Sequence, residues 1–531
     1  MNLLTSVPVA VFVLLLPIWQ ERPITSEDLS PGPYPTYVGP ADIGFAANGF
    51  EYGAFGWRTR LAQNLARTDS PVAARVLAAR LPQEDDPRLV GSLLGLLATM
   101  PAEQALAVDA LSTYLSHESA FVRDNAVRLA IELGAPTPDS LLERARTDDS
   151  LAVQIRAANG LAAYANQLEV QDVEGLLEAD SVQLRSIGYG LLCHLPDLDA
   201  NAYGRIRTAC EQEEIPVRFR IAEALPQIPV EWSIELARIQ AGDAHASVRS
   251  AVAASLGEAP REAALDTLLE LSQDADAEVR RRAARSLVEY PATGAVNALV
   301  RLYGDPVTFV RQAAEDSAVD IQPRISVFEA TSDALDRQNP DARLRAYNVL
   351  GRLGADAYLD RIADKLSTEN RPSNISAALR ALNALGSQRL DLIVALAEHE
   401  SAVVRESVAL ALGNISAEKS LRTVAKLIDD SSLDVGRTAI VSAGRLADPF
   451  FASILLKVLK DTSMGGHFST RERATACWAA GQMRPPDDKL SSRLVKQATR
   501  PVIPTPMGPV FEADYVLVSA CWALAEYARE D

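Results

Sequence analysis

A phrase that returns about every 31 residues constrains this chain more than anything else in it. The phrase opens on an acidic residue, crosses a short gap to Val-Arg, and runs through small and apolar residues to Leu-Gly. HESAFVRDNAVRLA (from His117), DAHASVRSAVAASLG (from Asp243), DADAEVRRRAARSL (from Asp274), DPVTFVRQAAEDSA (from Asp305) and HESAVVRESVALALG (from His399) are clear copies. The recurring arginine reads as Arg123, Arg156, Arg185, Arg218, Arg249, Arg280, Arg311, Arg343 and Arg405, at spacings of 33, 29, 33, 31, 31, 31, 32 and 62 residues. A degenerate unit around Ile375 fills the last gap. Arg58 and Arg88 mark two earlier units, and Gly436, Arg473 and Leu517 take the position in three later ones. Such a period holds two short helices and two turns, and stacking the units builds a core one step at a time.

One unit shows how. Residues 261–272 (REAALDTLLELS) place Ala264, Leu265, Leu268, Leu269 and Leu271 mostly on one face, the period of an amphipathic helix. Asp274 to Asp276 interrupt that pattern and supply a capping acceptor. Residues 278–290 form the second helix, with Val279, Ala283 and Leu287 four apart on its buried side. Pro291 ends it, and Gly294 is expected in the following turn. Neither helix buries its stripe alone. Composition agrees: 48% of residues are hydrophobic but only 6% aromatic, and alanine and leucine are the strongest helix formers.

The Asp…Val-Arg…Ala…Leu-Gly phrase resembles the short HEAT-repeat class, including the repeats of phycobilin lyase subunits. The resemblance spans roughly residues 55 to 531 and implies an all-α fold, a right-handed α-solenoid of about fifteen two-helix HEAT-like repeats. It further implies a ladder of polar contacts between adjacent units, to which Asp274 with Arg280 and Asp305 with Arg311 would belong. The second helix of each unit would line the concave face, with the positions two, three and six after the Val pointing into the groove. In the middle units these include Phe219, Arg220, Arg281, Arg282, Arg285 and Arg345, a local basic patch suited to an acidic partner segment. The same fold serves many tasks, so function must come from particular sites.

Departures from the repeat point to such sites. Residues 31–57 are rich in Gly, Pro and aromatics, as expected of a linker and an N-terminal cap. The last units are stretched by DTSMGGHFST (461–470) and by RPVIPTPMGPVFEAD (500–514), where proline favours extended loops. His467, Phe468 and Met507 on these loops are candidate partner contacts, as loops on a rigid scaffold often carry recognition. ATACWAAGQM (from Ala474) and VSACWALAEY (from Val518) match each other. Cys477 with Cys521 and Trp478 with Trp522 are therefore repeat equivalents. The cysteines read as buried positions, and the tryptophans as either core or a concave aromatic pair.

Other chemistry is poorly supported by the residues. The net charge of −18 argues against gripping a nucleic-acid backbone or an anionic membrane surface. Cys193, Cys210, Cys477 and Cys521 form no CxxC, so no zinc ribbon or thioredoxin-type motif is present. His117-Glu118 and His399-Glu400 resemble the His-Glu pairs of HEAT-like di-iron hydroxylases in type. They stand, however, in the turn before Val-Arg rather than after the arginine. No HExxH, Walker loop or GxSxG occurs. Catalytic residues, cofactor and metal are all expected to be none.

The first twenty residues, MNLLTSVPVAVFVLLLPIWQ, are uncharged and largely apolar, as in a signal peptide or N-terminal anchor. The expected organisation is that segment over 1–20, a linker and cap over 21–54, the solenoid over 55–460, and C-terminal repeats with extended loops over 461–531. The expected protein is a non-catalytic, extracytoplasmic scaffold, periplasmic or secreted and either free or tethered by residues 1–20. Its partner would be a protein or a multi-subunit complex. A phycobilin-lyase-like accessory enzyme or chromophore chaperone is the alternative.

Overall fold

The computed structural model describes residues 54–528, except 69, 101–103, 135–136, 323, 388, 462–467, 484–486, 500–501, 506–507 and 512–513. The proposed N-terminal segment and nearly all of the linker therefore lie outside the described residues. The chain is an all-α solenoid. Its second helices are α1 (Phe55–Ala66), α2 (Pro87–Ala98), α3 (Ala120–Glu132), α4 (Leu151–Gly160), α5 (Val182–Cys193), α6 (Ile215–Ala224), α7 (Ala246–Glu258), α8 (Ala277–Ser286), α9 (Thr308–Asp320), α10 (Pro340–Leu353), α11 (Pro372–Ala384), α12 (Ala402–Leu412), α13 (Leu433–Leu446), α14 (Thr470–Gly481) and α15 (Asp514–Ala528). One first helix stands between each consecutive pair. Two compact units result, residues 1–252 and 253–531, with the division falling inside α7. Among the described residues no helix is long and apolar enough to cross a membrane.

The repeat read from sequence folds nearly as written. Asp276 caps α8, its carboxylate accepting from the N–H groups of Glu278 (2.8 Å) and Val279 (3.2 Å). Val279, Ala283 and Ala284 are buried on one side, and a 3-10 turn, Leu287–Glu289, closes the helix. Ala264, Leu268 and Leu271 of the preceding helix bury against it. Gly294 lies in the first turn of the next helix, Thr293–Leu302, rather than in the connection. The stretch after Thr499, read from sequence as an extended loop, contains two short strands. Val502–Thr505 (β1) and Gly508–Phe511 (β2) pair antiparallel, with Val502 opposite Phe511.

At several junctions of the second unit the glycine that ends the phrase sets the spacing of the second helices. A Cβ on Gly351 would lie 2.8 Å from Ala381 Cα, on Gly413 2.8 Å from Ser442 Cβ, and on Gly481 2.8 Å from Ala523 Cα. Each glycine stands eight residues after the ladder position and lets the next helix close to backbone contact.

The ladder itself runs forward between neighbours. Arg280 donates Nη1 to the carbonyls of Asp274 (2.8 Å) and Ala275 (2.9 Å) in its own turn. Its Nε and Nη2 grip the Asp305 carboxylate of the next repeat at 2.7 and 3.0 Å. Arg123 takes Asp148, Arg218 takes Asp243, Arg343 takes Glu369 and Arg405 takes Asp430 in the same way. In these five pairs the acid stands six residues before the next ladder position; at Arg185 that place is Gln212, and the arginine takes Glu213 at 3.1 Å and Glu214 at 2.6 Å instead. The six-residue offset corrects the readings at Arg88 and Arg156: Arg58 meets Glu84, six before Val90, so Val90 holds the ladder place while Arg88 pairs with Asp86 in its own turn. Gln154 makes the six-residue bond, to Asp148 O at 2.7 Å, while Arg156 pairs with Asp124. The irregular spacings of 33 and 29 residues around Arg156 become 31 and 31 once Gln154 is counted.

The same offset explains the His-Glu pairs. Val90 and Ile375 are apolar at the ladder position, and the acid each would meet is replaced by His117 and His399. Both imidazoles accept the N–H two residues on, Ser119 and Ser401, at 3.0 Å. Asp305 serves Val307 likewise at 2.8 Å. Where no guanidinium arrives, an imidazole nitrogen takes the carboxylate's place as the acceptor that keeps the turn.

These carboxylates predict an acid limit. Burial pushes the Asp148 carboxyl up, but Arg123 and the Ser150 N–H outweigh it and hold it below its ordinary 3.8. Asp430 is lowered by Arg405 against burial. Glu369 is pushed up by burial, yet Arg343 and Asn374 bring it below its ordinary 4.5. A depressed carboxyl contributes stability that is full above its unfolded value and is lost as pH falls through its folded value. Thermal midpoints should therefore be level above about pH 5 and fall progressively below about pH 4. Circular dichroism melts from neutral to acid pH check this. An unchanged midpoint on acidification would show that the ladder carries little stability.

Candidate functional site

The groove positions of the second helices, two, three and six after the Val, change character along the second unit. On α8 to α10 they are mostly polar, and most of the arginines are paired. Arg281 and Arg282 both bind Glu278, and Arg345 binds Glu315 at 2.5 Å and Gln312 at 3.0 Å. Arg285 is exposed. In the first unit Arg220 lays its stem over Gly190 and pairs with Glu223 at 3.3 Å, beside a half-buried Phe219. The expected basic patch is thus largely neutralised by neighbouring acids, which weakens its case for an acidic partner.

On α13 to α15 the same positions are mostly uncharged, Arg437 of α13 being the exception and paired with Asp434. Val441, Ala474, Thr475, Trp478 and Ser519 line a groove of about 380 Å³. Its two hydroxyls face away from a ligand chemically. Thr475 Oγ1 donates to Arg471 O (2.9 Å) and Ser519 Oγ to Tyr515 O (2.7 Å), each within its own helix. Such back-bonding satisfies the hydroxyl and leaves carbon toward the groove. Trp478 rests over Gly444, where a Cβ would come within 2.6 Å of its Cζ3. Trp522 repeats the arrangement over Gly481 at 3.1 Å and is 36% exposed. Val518 beside it is 66% exposed. The two tryptophans are therefore structural equivalents on the groove side, each seated in a notch that a glycine leaves.

Other expected contacts fall elsewhere. Phe468 is buried, with Lys457 Nζ 5.7 Å from its ring centre, so it plugs the core and is unavailable to a partner. His467 and Met507 lie outside the described residues. Cys477 is buried as expected, but Cys521 is exposed. Cys193 and Cys210 are buried free thiols, and burial pushes Cys210 up to about 12. Val441, Ala474, Thr475 and Ser519 were not singled out from sequence. The rule of positions two, three and six finds all of them when applied to the last three repeats.

A larger open cleft of about 680 Å³ lies in the first unit among Arg58, Glu84, Asp86, Arg88 and Phe121. Its charges answer one another, Arg58 with Glu84 and Arg88 with Asp86, and Arg88 also lies 4.5 Å over the Phe55 ring. Size alone does not make it the better docking place, since a ligand there would have to compete with formed ion pairs.

The model of HEAT repeats matches residues 234–318 and 390–465. No curated protein matches the sequence. Among solved structures, Kap121p is similar at 13% identity over 92% of this chain and 57% of its own, with a TM-score of 0.57. A multiply substituted Kap121p gives 12% identity, 92% and 56% coverage, and a TM-score of 0.59. Kap121p bound to Pho4p gives 13%, 92%, 53% and 0.50. At these identities the likeness is one of fold, and the chain spans little more than half the length of the solenoids it matches.

Proposed function

Because the chain is a HEAT-repeat protein, we propose that it is a non-catalytic scaffold which holds a partner protein against its second helices. The apolar groove on α13 to α15 carries this reading. It offers an aromatic wall, no charge among its lining residues, and hydroxyls already satisfied by their own helices. Such a surface takes a bulky apolar side chain of a partner segment, an aromatic or branched aliphatic anchor. The same fold in Kap121p holds a protein, Pho4p. The uncharged apolar run at 1–20 supports an extracytoplasmic scaffold, with the partner met outside the cytoplasm.

The test uses the full chain as bait in its own cells, beside the Trp478→Ala and Val441→Glu variants. Partner recovery should fall at least tenfold for both, the loss typical of a central anchor site, while circular dichroism stays unchanged. Equal recovery by all three baits would exclude the groove as the docking place.

A further inference from the structure

Junctions between repeats in the described residues follow a rule of matched pairs. A ladder arginine meets an acid, as Arg280 meets Asp305 and Arg343 meets Glu369. Where the arginine is lost, the acid is generally lost with it: Val90 goes with His117, Gln154 with Ala179, and Ile375 with His399. At Gly436 the donor is missing but Asp461 remains, and its carboxylate accepts the N–H of Phe468 at 3.0 Å.

The step from α9 to α10 breaks this rule. Arg311 keeps its two turn carbonyls, Asp305 O at 2.7 Å and Pro306 O at 3.0 Å. The residue six before Arg343, where its acid belongs, is Arg337. That backbone place is fixed by Arg343 Nη1, which bonds Arg337 O at 2.9 Å. The edge of Arg311 that would hold a carboxylate finds only the Thr308 hydroxyl, and its buried Nε has no partner. The nearest acid, Asp341, stands 3.7 Å away and is shared with Arg371 at 2.7 Å.

The packing of the two helices is also weaker at this step. Eight residues after Arg311 the chain has Val319, whereas Arg343, Arg405, Gly436 and Arg473 are followed at that distance by a glycine; the α8–α9 and α11–α12 steps lack it as well, with Val288 and Asn383. From α8 to α15, α9 and α10 pack less extensively than any other consecutive second helices. Long polar side chains bridge them instead. The buried Glu315 takes Arg345 at 2.5 Å and Asn348 at 3.4 Å, and Asp316 takes Arg352 at 2.9 Å. Buried charges in such a bridge lose hydration that their pairing only partly returns.

We propose that the α9–α10 step is a flexural joint built into the second unit, the place where consecutive repeats part most readily. It does not depend on what the groove binds. Hydrogen exchange of the full chain, read by mass spectrometry, tests it through helices α9 to α12. Amides of α9 and α10 should exchange at least about tenfold faster than those of α11 and α12, as expected for a locally weaker cooperative element. Arg337→Asp supplies the missing acid and should slow α9 and α10 by roughly tenfold, the scale of a charged hydrogen bond, leaving α11 and α12 unchanged. Arg337→Ala, which removes the like charge and the bond from Arg337 to Val300 O without adding an acid, should slow them less. Equal exchange across the four helices in the natural chain overturns the joint. So does an Arg337→Asp variant that exchanges like the natural chain or like Arg337→Ala.

Discussion

Arg123→Ala should destabilise its region of the first unit by about 3–5 kcal/mol, the usual consequence of removing one partner from a buried ion pair. The Arg123 side chain is 8% exposed and that of Asp148 only 2%. The guanidinium holds Asp148 at 2.9 and 2.8 Å and the carbonyls of His117 and Glu118 at 2.8 and 2.9 Å. Alanine leaves a sealed carboxylate and two carbonyls without these donors. The damage belongs to the unpaired charge rather than to the pair's own worth. Arg123→Met combined with Asp148→Leu should therefore recover most of the loss. Urea unfolding of the single and double variants decides the matter. Two losses that simply add would show that the residues act independently.

Gly351→Val should cost about 3 kcal/mol or more, although leaving glycine favours a helix by several tenths of a kcal/mol. The competing terms differ in kind. The helix gains backbone entropy from any side chain, but a Cβ here would stand 2.8 Å from Ala381 Cα and 3.0 Å from its Cβ. A backbone atom cannot rotate aside, so α10 and α11 must separate along their shared core. Gly204→Ala is the control, since nothing lies within 4 Å of that Cβ and the position is helical. It should stabilise by about 0.5–1 kcal/mol. Thermal melts of both variants should move in opposite directions. A stable Gly351→Val chain would mean that the helices are not held at this distance.

Period, helix pairing and the groove positions were legible because each is local. A helix announces itself over a dozen residues, and its exposed positions follow from the buried ones. The partner of each arginine was not legible in the same way, since Asp305 is close to Arg280 only after one helix and two turns have folded. Matching on the letter Arg chose Arg156, whereas the six-residue offset to the turn chooses Gln154. Phe468 and Cys521 failed for another reason. Their burial depends on whether a neighbouring element covers them, and composition of the loop or equivalence to Cys477 does not report that. The apolar groove was half legible. Trp478 and Trp522 stood out as rare residues, but Val441, Ala474, Thr475 and Ser519 are common ones whose meaning comes only from position.

Because each arginine reaches only the following repeat, load applied along the chain passes through its junctions one after another. No long-range contact of this ladder shares the strain. Under tension such an array yields stepwise, each released repeat of about 31 residues paying out roughly 100 Å of slack before the next is strained. A molecule fastened in this way is a spring with discrete stops, able to lengthen between two attachment points while most of its repeats stay folded.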